Sequence, residues 1–196
     1  MGKYIINTVA ALITMLLLFR GIDKKLIVKS CPWMTASAVA LIAGIILFDV
    51  NVMLVWAVLV FQSYTDITER HVFSVITWSM ITVQVLYCLI CTTFLNTPLY
   101  MLIFPTLLIV SMSMLVRTYS GGDMELFILI MLHIYNTGIR PDAYMVYHLL
   151  ITSVVFVIYM GIENGIRILR QEDTLQHGAF VPAMTAGYFV LNLLIK

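Results

Sequence analysis

Two aspartates stand beside apolar segments, where an ionisable side chain is costly and therefore a candidate for function. Asp66 ends one apolar run within Ser63-Tyr-Thr-Asp-Ile-Thr-Glu-Arg-His71, and Asp123 precedes another within Arg117-Thr-Tyr-Ser-Gly-Gly-Asp-Met-Glu-Leu126. Two carboxyl groups within hydrogen-bond reach cannot both ionise comfortably, so one pKa rises and the pair shares a proton. The neutral carboxyl can then polarise a carbonyl group while the ionised one takes a proton from water. If the fold brings them together, these two residues predict a site that activates water.

The glycines before Asp123 have a physical reason of their own. Gly121 and Gly122 carry no side chain, so the backbone can approach a substrate or an opposing helix closely. Asp123 is expected where a helix begins, and the helix dipole favours its ionised form there. Both aspartates also have a simpler interpretation, because helix caps and interfacial anchors use the same residue type.

The composition indicates which scaffold holds these residues. Of 196 residues, 62% are hydrophobic and 11% are charged, and the mean hydropathy is +1.02, which no soluble domain of this size matches. Continuous apolar runs predict membrane-spanning helices rather than an alternating barrel. The net charge of +1 gives no indication of nucleic acid. The first run, Tyr4–Phe19, is expected to be retained rather than cleaved as a signal peptide.

The apolar runs predict an all-α polytopic membrane protein with about eight transmembrane helices, in a range of six to eight. Asp49-Val50-Asn51 is expected to form a tight turn, because one helix through it would be roughly 50 Å long, too long for a hydrocarbon core of about 30 Å. Eight spans also put most basic residues on one side, as the positive-inside rule requires, and place Asp66 and Asp123 at the cytoplasmic face. The candidate spans are Tyr4–Phe19, Trp33–Phe48, Asn51–Thr65, Phe73–Phe94, Pro98–Val116, Met124–Tyr135, Ala143–Met160 and Gly178–Ile195.

The other ionisable and reactive residues have ordinary explanations. Glu163 and Arg167 are spaced i,i+4 and are expected on a cytoplasmic continuation of the seventh span. His133 and His148 are expected to be interfacial or packed histidines rather than ligands. The pair Cys88-Leu-Ile-Cys91 lies in an apolar run, so two buried cysteines are expected. No HExxH, GxSxG or phosphate-loop pattern occurs, and no metal or cofactor is predicted.

Taken together, the motifs resemble those of the type IV prepilin peptidases, a family of GxGD intramembrane aspartyl proteases. Ser120-Gly-Gly-Asp123 resembles the GxGD signature, and Asp66 followed by Phe73-Ser74 resembles the family pattern D-x6-P-N. Phe180-Val-Pro-Ala-Met-Thr-Ala-Gly187 resembles a third pattern, F-x-P-x4-G. Two spans separate the aspartates, as in the family. The resemblance covers roughly residues 51–196.

The resemblance implies one membrane-embedded peptidase domain over residues 1–196, with an extra helical hairpin at 1–49 and a six-helix protease core at 50–196. It implies that Asp66 and Asp123 are catalytic and need no metal or cofactor. The substrates would be prepilins or pseudopilins, cut at the cytoplasmic face of the bacterial inner membrane to remove a short basic leader. We expect the substrate's apolar helix to dock among the spans. The residues expected to shape the site or meet the leader are Gly121, Gly122, Pro182, Glu69, Glu125 and Asp173.

Departures from the family pattern leave substrate preference open. Phe73 and Ser74 stand where the family has proline and asparagine, Ser120 replaces a glycine, and Glu125 replaces a lysine. Many bacterial members carry a cysteine-rich cytoplasmic domain and also N-methylate the product, and residues 1–49 contain no paired CxxC motifs, so methylation stays open. Two other functions stay open as well: a non-catalytic membrane protein of pilus or secretion assembly, and a small transporter that relays protons through carboxylates. The sequence does not predict the oligomeric state.

Overall fold

A computed structural model of the chain describes residues 2–20, 27–91, 98–116, 120–171, 173 and 178–195. All regular structure in these ranges is α-helical, which confirms the predicted all-α class. Eight helices are described, and they pack antiparallel to their chain neighbours where short connections join them. They are α1 (Gly2–Arg20), α2 (Ile27–Leu47), α3 (Val50–Glu69), α4 (Ser74–Ile90), α5 (Tyr100–Val116), α6 (Gly121–Asn136), α7 (Pro141–Leu169) and α8 (Val181–Leu194).

A tight turn joins α2 to α3, as predicted. Asp49 adopts an extended conformation (φ −76°, ψ 164°) that stops one helix and starts the next. Its carboxylate does not cap α3, and lies instead 2.8 Å from the Lys3 ammonium group on α1. Asn51 accepts a hydrogen bond of 2.7 Å from Gln84 on α4. The expected turn is therefore present, while both polar side chains that suggested it bind other helices.

Helix α3 lies at the centre of the bundle. It packs against α1, α2, α4, α6 and α8, and most of its residues from Met53 to Thr65 are buried. Polar side chains form hydrogen bonds with backbone carbonyl groups of neighbouring elements. Trp56 Nε1 donates to the carbonyl of Ala40 on α2 at 2.9 Å, and Asn7 Nδ2 on α1 donates to the carbonyl of Phe48 at 3.0 Å. Contacts with several helices therefore fix the position of the residues at the end of α3.

Several helix ends differ from the predicted spans. Helix α3 runs to Glu69 rather than stopping at Thr65, so Asp66 lies in its last turn. Helix α6 begins at Gly121, three residues before the predicted start. Helix α7 continues to Leu169, which confirms the predicted extension, and Arg167 Nε lies 3.1 Å from Glu163 Oε1. The last three residues of the predicted fourth span, 92–94, and residues 21–26 of the predicted basic loop lie outside the described residues.

Two of the described helices, α3 and α7, are long and apolar enough to cross a membrane. Shorter apolar stretches occur in α1, α2, α4, α5 and α8. Apolar side chains also cover the outer surface of several helices, and several on α7 are more than half exposed, as at Val146, Leu150 and Val157. Surface of this kind is typical of helices that face lipid rather than water.

Candidate functional site

Asp66 joins the end of α3 to the start of α8. Its Oδ2 accepts a hydrogen bond of 3.0 Å from the backbone N–H of Val181, the first residue of α8, and the backbone N–H of Phe180 also interacts with this carboxylate. One turn earlier the hydroxyls of Ser63 and Thr185 are 2.7 Å apart, which ties the same two helices. Unpaired N–H groups at a helix N-terminus favour a carboxylate, so α8 holds Asp66 in place.

Asp123 is the third residue of α6 and completes a capping box with Ser120. The Asp123 N–H donates to Ser120 Oγ at 3.2 Å, while Asp123 Oδ2 accepts from the Ser120 N–H at 2.9 Å and from its hydroxyl at 2.8 Å. Burial raises the pKa of Asp123, and the bonds from Ser120 oppose that shift without cancelling it. The bonds at the helix start therefore favour the ionised form of Asp123, as expected, and the loss of hydration outweighs them.

The fold brings the two carboxyls to the same end of the bundle. Val181 donates to Asp66, and Phe180, the residue before it, lines a small cavity together with Asp123. One close contact of α6 lies at Gly122, where an added Cβ would stand 2.6 Å from Cβ of Val72, in the connection between α3 and α4. No ordinary side chain fits at that separation, so the close approach that the glycine pair predicts occurs at Gly122, and the segment that approaches is the one following Asp66.

That segment, residues 70–73, is fixed by one buried glutamine. Arg70 adopts a left-handed conformation (φ 55°, ψ 38°) that ends α3 and turns the chain back. Gln62 then binds Phe73 on both sides of the backbone, accepting from its N–H and donating to its carbonyl, each at 2.9 Å. Val72 is thereby presented to Gly122. The sequence offers no signal for this role, because an uncharged Gln62 in an apolar run resembles any other polar interruption.

The remaining predicted site residues differ in their burial and contacts. An added Cβ at Gly121 would meet nothing within 4 Å, so this glycine makes no close contact. Glu69 is exposed at the last residue of α3, where a basic segment could reach it. Glu125 is half-buried, and its Oε2 is buried with no hydrogen-bond partner among the described residues, so it does not face solvent as a leader-binding acid would. Pro182 follows Val181 directly and therefore stands beside Asp66.

An apolar groove of about 380 Å³ opens next to Asp66. On α2 its lining runs from Trp33 to Ala43, roughly 15 Å along the helix axis. Its end near the carboxyls is marked by Ile67, which follows Asp66, and by Pro182. Small residues let another helix approach closely in an apolar environment. Its small and weakly polar walls come from α2 (Ala36, Ser37, Ala40, Ala43), α3 (Ser63) and α8 (Thr185, Ala186).

The histidines of α6 and α7 are packed inside the bundle. His133 and His148 have no exposed surface, which decides between the interfacial and the packed alternatives in favour of packing. Ring contacts surround them: His133 lies against Tyr188, and His148 stacks on Tyr144. Of the cysteine pair, only Cys88 is buried. The expectation of two buried cysteines is therefore wrong for Cys91, which is exposed at the end of α4.

The backbone donor of Val181 could not be found from sequence, because every residue but proline carries the same N–H group. The faint signal is Pro182, since proline at the first turn of a helix marks a helix start. The Asp66 and Asp123 carboxyls, their capping partners and the adjoining apolar groove form the one arrangement of this kind that the described residues show. The chain matches no protein-family model, no curated protein and no solved structure.

Proposed function

We propose that this chain is a membrane aspartyl endopeptidase similar to the type IV prepilin peptidases, and that it removes short basic leaders from prepilin or pseudopilin precursors. One observation carries the proposal: Asp66 and Asp123, from different helices, both lie beside the start of α8, since Val181 donates to Asp66 and the preceding Phe180 lines a small cavity with Asp123. Both are partly buried, and each is oriented by backbone N–H groups, from Val181 and Ser120. In the proposed arrangement the two carboxyls share a proton.

In the proposed reaction the pair divides the work as coupled carboxyls do. The ionised carboxyl takes a proton from water, which attacks the carbonyl carbon of the scissile peptide bond. The protonated carboxyl donates a hydrogen bond to the carbonyl oxygen and stabilises the developing charge. Transfer of the water proton to the leaving amine then breaks the C–N bond. No step needs a metal, since the two carboxyls supply both the acid and the base.

The membrane setting is part of the proposal. Only 17% of the most apolar stretch of α7 is buried within the bundle, so that helix is covered by lipid in the proposed arrangement. We propose eight spans, with the site end of the bundle facing the cytoplasm of a bacterial inner membrane, as the distribution of basic residues favours. Residues 50–196 form the protease core, and residues 1–49 form a hairpin that adds to it.

The apolar groove is where we place the substrate's hydrophobic helix. A helix lying along α2 with its N-terminal end beside Ile67 presents the preceding peptide bond to Asp66. The groove lining carries no charged side chain, which suits an apolar helix and excludes the basic leader. The leader then lies outside the groove near exposed Glu69 or Asp173. Charge reversal at both acids should slow processing of basic leaders, and unchanged processing would remove this part of the proposal.

The decisive experiment is co-expression with candidate prepilins, read by gel mobility and by the mass of the new N-terminus. Wild type is compared with Asp66→Asn, Asp123→Asn and the control Asp142→Asn, with membrane insertion verified for each. Asp142 is paired with Arg140 at the start of α7, the far end of that helix from its cytoplasmic continuation. Loss of cleavage in the first two variants alone supports the pair. Cleavage by either variant refutes the pair, and the product mass decides methylation.

A carboxylate-relay transporter is the second candidate, and one observation favours it. Ionisable or polar rings continue from the site end into the bundle, at His148, Tyr144, Tyr188 and His133, all buried. Buried ionisable groups in membrane helices often mark proton paths. Proton or solute flux in vesicles that depends on Asp123, with no cleavage of any prepilin, would favour this function. Neither cleavage nor flux would favour the non-catalytic assembly protein.

A further inference from the structure

A second pocket, of about 40 Å³, opens between the ends of α1 and α3, on a different side of α3 from the groove. Its floor is a buried cluster of Leu18 from α1 with Phe61 and Tyr64 from α3. Phe73 and Glu69 also line the pocket, and both are exposed. The pocket therefore combines an apolar, largely aromatic surface with one carboxylate that solvent can reach.

The position of Glu69 is not explained by the helix that carries it. Glu69 is the last residue of α3, where the helix dipole disfavours a negative charge, and the last turn holds no basic residue that would offset it. Glu69 also forms no ion pair with another residue in the described part of the chain. A cation that enters from outside would therefore meet a carboxylate and a helix end that both favour positive charge.

The pocket lies next to the candidate catalytic residue on α3. Successive residues of an α-helix are rotated by roughly 100° about its axis. Around the last turn of α3, Asp66 therefore lies between Ile67, which lines the groove, and Glu69, which lines the pocket. A substrate whose apolar helix occupies the groove and whose scissile bond reaches Asp66 continues toward Glu69. In the proposed reaction, that part of the substrate is the basic leader.

We propose that this pocket is a subsite for one lysine or arginine side chain of the leader, an inference that rests on the proposed function. The methylene groups of that side chain cover the apolar floor, as long basic side chains commonly do on apolar surfaces. Its charged end stays at the rim, against the Glu69 carboxylate and the exposed ring of Phe73. Glu69 is then a specificity-determining residue that takes no part in the chemistry. Because Leu18 belongs to α1, the N-terminal hairpin contributes to the choice of leader.

The first test measures binding, so it does not depend on cleavage. Synthetic peptides carry a short leader and the start of an apolar helix, with a single lysine moved along an otherwise neutral leader. Their Kd is measured by fluorescence anisotropy with the full-length protein in detergent, for wild type, Glu69→Gln and the control Asp142→Asn at the start of α7. Lysine at one position, or at two adjacent ones, should tighten binding to wild type and to Asp142→Asn by about 2- to 10-fold, and Glu69→Gln should lose this gain.

Three results of the binding test would overturn the subsite. They are no gain from lysine at any position, the same gain at every position, and a gain that survives in Glu69→Gln. Charge exchange gives a further check, since Glu69→Lys should prefer a leader glutamate at the position where wild type prefers lysine. Glu69→Gln should also keep or slightly raise the melting temperature, because it removes a charge that the helix end disfavours. A fall of several degrees would mean that Glu69 is bound within the protein, and would overturn the subsite too.

The cleavage assay separates this inference from the proposed function. For a precursor with lysine at the preferred position, Glu69→Gln should raise KM by the same factor as Kd and leave kcat unchanged. A lower kcat with unchanged KM would assign Glu69 to the chemistry and overturn its role in specificity. If lysine-dependent binding requires Glu69 but wild type cleaves no precursor, the subsite stands and the peptidase proposal fails. If wild type cleaves lysine and neutral leaders equally well, the peptidase proposal stands and the subsite fails.

Discussion

Gly122→Ala offers the sharpest test of how the two carboxyls are brought together. The added Cβ would stand 2.6 Å from Cβ of Val72 and 3.0 Å from both of its Cγ atoms. Contact between carbon atoms is favourable at about 3.5–4.0 Å, so the segment after α3 must move by about 1 Å. Overpacking of this kind costs about 1–3 kcal/mol. For a chain of this length that is a fall of about 2–12 °C in melting temperature.

Gly122→Ala should lower the rate of cleavage by a larger factor than its effect on stability alone would suggest. The strained contact separates Asp123 from Asp66, and a misplacement of about 1 Å can cost a site on the order of 100-fold in rate. The matched control is Gly121→Ala, where the added Cβ meets nothing within 4 Å. Alanine favours helix over glycine by up to about 1 kcal/mol, so the control should be neutral or more stable.

The assay is a thermal melt of purified protein together with the rate of prepilin cleavage. Val72→Gly in the Gly122→Ala background removes the opposing Cβ and should recover part of both losses, whereas Val72→Ala leaves that atom in place and should recover less. Equal behaviour of Gly121→Ala and Gly122→Ala would refute the reasoning, because it would show that the residue 70–73 segment does not hold α6.

The remaining predictions concern pH, an interhelical hydrogen bond and a surface pair. The pKa of Asp123 is raised in the folded protein, so the folded state binds this proton more tightly than the unfolded chain does. The free energy of unfolding therefore decreases as the pH rises from the ordinary pKa of 3.8 through the raised pKa. When melting temperature is measured against pH, the melting temperature of Asp123→Asn relative to wild type should increase toward neutral pH. Parallel curves for the two proteins would contradict this. Trp56→Phe loses its bond to α2 and should cost at least about 1 kcal/mol by thermal melt, while exposed Trp78→Phe should cost less. Glu163→Gln should cost at most about 0.5 kcal/mol in the same measurement, because the pair with Arg167 is partly exposed; a larger loss would mean the pair is better shielded.

Apolar runs predict where helices lie but not where they end. The run of α3 loses its apolar character at Thr65, and the helix nevertheless continues to Glu69 because the backbone bonds do not depend on side-chain polarity. This places Asp66 inside a helix rather than after one. The hairpin at Asp49 was predictable because a single helix would have been too long, an argument from length that needs no knowledge of the turn. Its actual side-chain partner, Lys3, comes from another helix and had no local signal.

For the candidate site too, some features were predictable from the sequence and others were not. That Asp66 and Asp123 lie at the same end of the bundle was predictable from the number of apolar runs between them and from the distribution of basic residues, both of which the sequence contains. What holds them does not follow from sequence, since the Val181 donor is backbone and Val72 is one apolar residue among many. Burial likewise outweighs the hydrogen bonds that favour the ionised form of Asp123, and burial depends on neighbours that only the packed bundle supplies.

The walls of the groove come from two separate parts of the chain, which bears on how sequence changes could alter the groove. One wall belongs to α2, in residues 1–49, while the carboxyls and the other walls belong to α3, α6 and α8. Exchanging the first two helices for those of a relative would change the surface offered to an incoming helix and leave the reactive groups in place. The boundary for such an exchange is the Asp49 turn, and the exchanged pair must keep a backbone carbonyl at the position of Ala40 that accepts from the indole N–H of Trp56. If the proposed function holds, the surface that selects a substrate helix and the groups that react with it can vary independently.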